Sequence, residues 1–350
     1  MFELNKNAPF IALLAAAVFG LSTPLAKFLL GDMSPWALAS LLYLGSGLGL
    51  GLITLFRRSD GTAEAHLTRA DMPWLLGTIF FGGIAGPILL LLGLTTTDGA
   101  SASLLLNLEA VFTVLLAWLV FKEHVDKRLF LGAVSIVAGA VLLSWQGRLG
   151  EARLGVGLIA LACLSWGIDN NLTRKISAVD PFVLASIKGF VAGLVNALLA
   201  YVMGASIPDI LPLASAMPLG FVSYGLGLVL FIMALRLLGT ARTGAYYGTA
   251  PFIGALAATV ILGDTLTPTL VIAGLLMAFG AWLHLTERHV HDHQHDPLDH
   301  SHRHTHDEHH QHKHGPDDSN EEPHSHAHRH APVKHAHAHY PDIHHRHRHS

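Results

Sequence analysis

The chain has 350 residues, of which 51% are hydrophobic and 13% are charged, and its formal net charge at pH 7 is −3. A typical soluble domain has about 25% charged residues, so this composition excludes an ordinary soluble globular protein. Of the 26 histidines, 23 lie at or after His289, so the chain divides into an apolar part and a histidine-rich tail.

Long apolar stretches follow one another along the chain with short connections between them. A hydrocarbon core about 30 Å thick needs about 20 apolar residues in a helix. Such stretches cover residues 9–30, 34–56, 72–94, 99–121, 128–146, 155–174, 181–203, 213–235, 242–262 and 267–287. Because the bilayer offers the backbone no water, these stretches must be helices, and a β-barrel would show short alternating segments instead. The predicted fold is an all-α integral membrane bundle of ten transmembrane helices.

The basic residues of the loops predict the orientation of these helices. Cytoplasmic loops carry an excess of lysine and arginine. If the N-terminus is cytoplasmic, that side collects Lys6, Arg57, Arg58, Arg69, Lys122, Lys127, Arg128, Arg174, Lys175, Arg236, Arg242 and Arg288. The opposite side receives Arg148 and Arg153. Both termini, and with them the tail, are predicted to be cytoplasmic in an inner or plasma membrane.

The two halves of the apolar part share short matches in the same order. The matching pairs are Pro35–Ser40 with Pro181–Ser186, Phe19-Gly20 with Trp166-Gly167, Glu123 with Asp264, and Gly139-Ala140 with Gly280-Ala281. Together they favour a duplication, with one repeat over residues 1–146 and the other over residues 147–288. Five helices per repeat is an odd number, so the repeats are predicted to have opposite topology.

This arrangement resembles the EamA-type members of the drug/metabolite transporter superfamily. The shared features are the two five-helix repeats, the aromatic-glycine pairs, the acids Glu123 and Asp264 after each fourth helix, and the glycine-rich closing helix around Gly132 and Gly139. The resemblance covers about residues 9–287. It implies a secondary transporter with inverted repeats, a central cavity and alternating access, working without ATP hydrolysis. The chain departs from the family at Asp264, where glutamate is usual, in the unusual run Asp169-Asn170-Asn171, and in its tail. The resemblance therefore does not indicate the substrate.

Ionisable side chains inside the predicted membrane helices are candidates for function. They are Lys27, Glu109, Asp169 and Lys188. Such groups are costly in hydrocarbon unless they face a cavity or a partner. Glu109 lies near the middle of its helix, on a partly polar face with Ser101 and Thr113. It could bind substrate or carry a proton, or it could make a structural hydrogen bond or ion pair.

A polar run in the second repeat is a further candidate. Asp169 and Lys188 enter the membrane from the same side at similar depth and could pair, either for packing or for function. Asn170 and Asn171 follow Asp169, and the equivalent place in the first repeat holds Ser22-Thr23-Pro24. Because helix interruptions at equivalent places in two repeats point to a transport site, we expect Thr23, Asn170 and Asn171 to belong to it.

Three other side chains have alternative interpretations. Lys27 lies near the outer end of the first helix and could serve the site or extend to the interface. Tyr246 and Tyr247 could line the cavity or simply pack. No catalytic constellation, P-loop or dinucleotide-binding motif is convincing, so we expect neither an enzyme nor a required cofactor.

Residues 289–350 are predicted to form a disordered cytoplasmic tail, since they lack the apolar residues needed to fold alone. Imidazole binds Zn, Ni, Co and Cu ions, and a flexible chain lets several imidazoles converge on one ion. The candidate ligands, which form no single site, are His300, His302, His304, His306, His335, His337 and His339. With an unperturbed pKa of about 6.5, the tail could instead buffer or sense pH.

Three functions stay open at this point. The favoured one is export of a small organic metabolite or drug by alternating access, with proton coupling undecided. The second is export of a transition metal ion or metal chelate that the tail loads, although the core lacks an intramembrane histidine cluster. The third is a membrane metal sensor. The expected partners are a small-molecule substrate, the lipid bilayer and a divalent metal, with no nucleic acid, in a monomer or homodimer.

Overall fold

Helices make up nearly all of the described chain before residue 287. The computed structural model describes residues 2–57, 67–121, 127–145, 151–176 and 179–286, and in the tail 290–294, 298–304, 324–330 and 334–338. The helices of the first half are α1 Phe2–Leu29, α2 Pro35–Arg57, α3 Met72–Thr78, α4 Gly86–Leu94, α5 Gly99–Leu105, α6 Leu108–Phe121 and α7 Lys127–Ser144. Those of the second half are α8 Glu151–Thr173, α9 Pro181–Val202, α10 Ile210–Leu219, α11 Gly227–Tyr247, α12 Ala250–Ile261 and α13 Pro268–Leu285.

Short segments of other helical types join some of these elements. Two 3₁₀ turns, Arg69–Asp71 and Arg174–Ile176, lie before α3 and after α8. Two π-helical segments, Ile79–Ala85 and Gly220–Leu226, continue α3 into α4 and α10 into α11. We refer to them as the first and second π segment. Each therefore lies inside one long, continuous helical stretch.

The all-helical membrane fold predicted from the sequence is confirmed. Eight helical stretches of the described chain are long and apolar enough to cross a bilayer: 8–29, 35–56, 69–94, 99–120, 127–144, 181–202, 210–234 and 268–285. The other two predicted spans correspond to α8, which carries the polar run, and to α12, which has 12 residues. The number ten stays a prediction.

One predicted helix boundary is wrong. The sequence suggested a loop between residues 235 and 242, where Arg236 and Arg242 flank a glycine, but α11 continues through this region to Tyr247. Arginine is a good helix former, and the next proline is Pro251 in the first turn of α12. The chain therefore breaks its helix at residues 248–249 instead.

The predicted interruptions at Ser22-Thr23-Pro24 and Asp169-Asn170-Asn171 are also absent, because α1 and α8 are helical through both runs. Proline is tolerated inside a membrane helix when neighbouring groups satisfy the freed carbonyl. The interruptions occur elsewhere, at residues 106–107 and 248–249, which are 142 positions apart. The two π segments likewise lie 141 positions apart, from Ile79 to Gly220. A duplicated chain gives such pairs of equivalent positions.

Helices of each repeat pack against helices of the other repeat. Helix α1 of the first half packs on α12 of the second, and α8 of the second packs on α6 of the first. Glycines make these crossings close: Gly20 lies against the backbone of Ala250, and Gly167 lies against Phe112. In membranes, small residues let helix backbones approach and gain dispersion contacts. This explains the aromatic-glycine pairs that the two repeats share.

In two further helix pairs, a helix of one repeat packs on the equivalent helix of the other repeat. Helix α2 packs on α9, and α7 packs on α13. Gly47 lies against the backbone of Gly189 and Phe190, while Gly280 lies against the backbone of Gly132. The pairing of α2 with α9 brings the first π segment, which packs on α9, close to α2. This contact positions the site described below.

The described part of the tail contains backbone pairing that the composition did not predict. Strand β1, Val290–Gln294, pairs antiparallel with β4, Lys334–Ala338, and β2, Leu298–His304, pairs with β3, His324–His330. Histidine alternates with other residues in all four segments, and this period of two fits an extended strand. The disorder predicted from the composition stays a prediction for these segments too. The remaining tail residues lie outside the described residues, and their disorder stays a prediction.

The contact between α2 and α9 predicts that Gly47→Ala destabilises the bundle. A Cβ atom at residue 47 would overlap the backbone of Phe190, which is held in α9 and cannot move aside. We expect the free energy of unfolding in detergent to fall by about 1–3 kcal/mol, as for other overpacked interiors. Gly157→Ala is the matched control, because a Cβ there meets no atom within 4 Å. Equal stability of the two variants would contradict close packing at Gly47.

Candidate functional site

Two of the predicted site residues form an ion pair between neighbouring helices. Asp169 lies in the last turns of α8, and Lys188 lies in the second turn of α9. The Lys188 Nζ atom is 2.5 Å from the Asp169 Oδ2 atom, and the two side chains are 16% and 11% exposed. Thr173 donates a hydrogen bond of 3.2 Å to Asp169 Oδ1. The pairing of Asp169 with Lys188 that the sequence suggested is present.

Glu109 joins the same polar run through an asparagine. It lies in the first turn of α6, directly after the helix interruption at 106–107. Asn170 Nδ2 donates to Glu109 Oε1 at 2.8 Å and to Thr113 Oγ1 at 3.2 Å. Asn171 Nδ2 donates to the Gly167 carbonyl at 2.8 Å and to the Thr113 carbonyl at 3.2 Å. The amides of α8 therefore fasten the start of α6 beside the ion pair.

Exposure differs along this run in a way that suits a binding site. Asp169 and Asn171 are buried, Glu109 is partly exposed and Asn170 is exposed. The α8 helix ends at Thr173, so Asn170 is within one turn of its end. Polar groups thus extend from the last turn of α8 to a carboxylate at the middle of the α5–α6 stretch.

The first π segment supplies the centre of this cluster. The Gly82 carbonyl accepts hydrogen bonds from the Tyr43 hydroxyl at 2.6 Å and from Trp166 Nε1 at 3.2 Å. The neighbouring Gly83 carbonyl accepts from Asn196 Nδ2 at 3.0 Å. Because π-helical geometry disturbs the regular backbone ladder, carbonyls become free to accept from side chains. The donors come from α2, α8 and α9.

An aromatic wall adjoins the polar cluster. Tyr247 packs on Phe19 and Phe231 with ring centroids 5.5 and 4.5 Å apart. Tyr224 packs on Phe19 at 6.5 Å and on Tyr43 at 5.6 Å. Tyr43 belongs to both groups, because its ring contacts Tyr224 while its hydroxyl reaches Gly82. The site therefore combines charged groups from α6, α8 and α9 with aromatic rings from α1, α2, the second π segment and α11.

Sequence reasoning missed several members of this site. Tyr43, Tyr224, Phe231 and Asn196 were not singled out, and Trp166 was noted for its place in the repeat alone. Aromatic residues are common in apolar helices, so their presence in the sequence does not indicate that these side chains form one cluster. The indications of an unusual helix that the sequence offers here are the double glycine Gly82-Gly83 and the following Gly86-Pro87, which marks a kink.

Three predicted residues are not part of the cluster. Lys27 Nζ donates to the Leu94 carbonyl at the end of α4. Thr23 is buried inside α1. The Tyr246 carbonyl accepts from Thr249 at the break before α12, and Tyr247 is the tyrosine that joins the aromatic wall. Lys27 therefore ties α1 to the α4–α5 connection.

The residues that the structure describes contain no group of three or more His, Cys, Asp or Glu placed to hold a metal ion. In the tail, His300, His302, His304, His335 and His337 lie on the described strands, whereas His306 and His339 lie outside the described residues. The metal-export alternative has no support from the described helices.

Comparison with known proteins gives matches over both halves. The EamA-like transporter family matches residues 6–145 and 153–286. An uncharacterised transporter of Methanothermobacter thermautotrophicus is 30% identical over 293 residues, which cover 78% of this chain and 85% of that protein. A probable amino-acid metabolite efflux pump of Salmonella typhimurium is 26% identical over 301 residues, covering 81% and 96%. A crystal structure with 20% identity shows the same fold, with a TM-score of 0.60 over 79% of this chain and 95% of that one.

The ion pair predicts a specific pattern of stability changes. Asp169→Asn or Lys188→Met each leaves one mostly buried charge without its partner, which costs about 3–5 kcal/mol in other proteins. The double variant removes both charges, so we expect it to be more stable than either single variant. The measurement is the free energy of unfolding in detergent for all four proteins. A double variant that loses the sum of the single losses would contradict a direct pair.

Proposed function

The chain belongs to the EamA-like transporter family, and from this premise we propose that it exports a small organic metabolite by alternating access. It is a multi-pass membrane transporter and not an enzyme. The proposal concerns its substrate class, its direction and its coupling. It places the transporter in the inner membrane with both termini cytoplasmic, as the lysine and arginine distribution favours.

The observation that carries the substrate proposal is the charge arrangement beside the aromatic wall. Lys188 offers a cation, while Glu109 and Asp169 offer carboxylates within the same cluster. A metabolite with an ammonium and a carboxylate group can bind here, because its ammonium can pair with a carboxylate of the cluster and its carboxylate with Lys188. The aromatic rings can hold an apolar side group or the face of a cation. The Salmonella relative, described as a probable amino-acid metabolite efflux pump, supports this class.

Glu109 is the proposed coupling group. A partly exposed carboxylate inside the bundle can bind either a proton or the substrate ammonium, and competition between them couples export to proton entry. Asn170 donates to the Glu109 carboxylate and keeps it oriented toward the cluster. Glutamine at residue 109 keeps the size and hydrogen-bonding capacity of the side chain but cannot carry a proton.

This proposal is tested with the full-length protein in proteoliposomes loaded with radiolabelled leucine, threonine, lysine or phenylalanine. An external buffer more acidic than the lumen is expected to accelerate efflux of at least one amino acid. Glu109→Gln is expected to lose this acceleration and to keep exchange of labelled for unlabelled amino acid. Asp209→Asn, which changes an exposed carboxylate before α10, is the matched control. Gradient-driven efflux by Glu109→Gln at the wild-type rate would refute the coupling role.

The tail is proposed to bind divalent metal independently of transport. Its histidines lie at spacings of two residues, and imidazole is a good ligand for nickel and zinc. Truncation after Arg288 is expected to abolish nickel binding measured by calorimetry while amino-acid efflux stays unchanged. If truncation stops efflux, the tail takes part in transport. If the truncated protein still binds nickel with the same stoichiometry, the metal site lies in the helices.

A further inference from the structure

We infer that Tyr43 and Trp166 are positioning residues, which hold the Gly82 carbonyl and thereby keep the Asp169–Lys188 pair in place. In this arrangement a shift of the first π segment also shifts the Asp169–Lys188 pair. The inference deepens the proposed function, and only its transport arm rests on that function.

The first step is the hydrogen bonding of the π segment. Two donors, the Tyr43 hydroxyl and Trp166 Nε1, converge on the one carbonyl of Gly82. They come from α2 in the first repeat and α8 in the second. If one donor is lost, the other still satisfies the Gly82 carbonyl. If both are lost, the carbonyl has no side-chain donor in the membrane interior, which is costly in free energy. The pair of donors therefore determines where the π segment lies between the two helices.

The second step is the contact between Gly82 and the ion pair. A Cβ atom built on Gly82 would overlap Asp169 Oδ2 and Lys188 Nζ, so the two charged groups lie directly against its Cα atom. The absence of a side chain at residue 82 is what leaves space for the pair. A shift of the π segment must move or separate Asp169 and Lys188. Trp166 and Asp169 also lie within one turn of α8, so the same helix turn contacts both the carbonyl and the pair.

The second repeat acts as an internal control for this coupling. The position equivalent to Gly82 in the second π segment is Ser223, whose hydroxyl donates to the Val18 carbonyl. The positions equivalent to Asp169 and Lys188 are Ser22 and Leu42, which carry no charge. The second π segment has the same backbone form, and among the described side chains no ion pair lies against it. The coupling is therefore specific to the first repeat.

The test is hydrogen–deuterium exchange of the full-length protein in nanodiscs, read by mass spectrometry on peptides covering 79–86 and 220–227. Tyr43→Phe/Trp166→Phe is expected to accelerate exchange over 79–86 by at least about 3-fold, as loss of buried hydrogen bonds implies. Asp169→Asn is expected to accelerate the same peptide. Neither variant should change 220–227, and Tyr201→Phe, which alters an exposed tyrosine, should change neither. Unchanged exchange over 79–86, or equal acceleration of both peptides, overturns the inference.

The transport arm separates positioning from general stability. For the amino acid of the leucine, threonine, lysine and phenylalanine panel that the wild type carries fastest, Tyr43→Phe/Trp166→Phe is expected to raise KM by about 3- to 10-fold with a smaller change in maximal rate. Gly82→Ala keeps every charge and should also raise KM, whereas Gly157→Ala should not. A loss confined to maximal rate would indicate a structural role and overturn the inference. If the wild type carries none of the four, the proposed function fails while the exchange experiment still decides the coupling.

Discussion

The need to satisfy backbone polar groups without water governs this structure. In a membrane interior each carbonyl needs a hydrogen-bond donor, so a carbonyl that an irregular helix frees has to find another one, for example a side chain. The first π segment shows the result, with Tyr43, Trp166 and Asn196 donating to two adjacent carbonyls. The same side chains bring α2, α8 and α9 together, and the charged cluster forms where they meet. A local backbone irregularity therefore assembles residues that lie far apart in sequence.

Glycine has two separate uses in the bundle. At Gly20, Gly47 and Gly167 it allows helices of different repeats to cross closely, which stabilises a structure that gains little from the hydrophobic effect within lipid. At Gly82 it leaves room for an ion pair instead of a backbone. Both uses depend on the missing Cβ atom, but the first serves packing and the second serves the site.

The fold class could be predicted from the hydropathy of single stretches, and the two repeats from short matches at a nearly constant spacing. The pairing of Asp169 with Lys188 could be predicted because a buried charge is costly without a partner. The helix interruptions could not, since they depend on tertiary contacts: Pro24 lies inside an unbroken α1, while Asn107, with no proline nearby, lies at a break. The aromatic wall was missed for a similar reason, because nothing local distinguishes Tyr224 from a packing tyrosine. Lys27 was an ionisable candidate on cost alone, and its partner proved to be a helix-end carbonyl.

The difference between the two π segments has a consequence for the energy landscape of the carrier. In an inverted-repeat transporter, the outward-open and inward-open states arise when the repeats exchange conformations, so identical repeats would give two states of equal free energy. Here the first segment accepts hydrogen bonds from three side chains and lies against an ion pair. The positions equivalent to that ion pair at the second segment are Ser22 and Leu42, which carry no charge. Under the proposed alternating access, we therefore expect the two end states to differ in free energy and the empty carrier to have a preferred resting orientation.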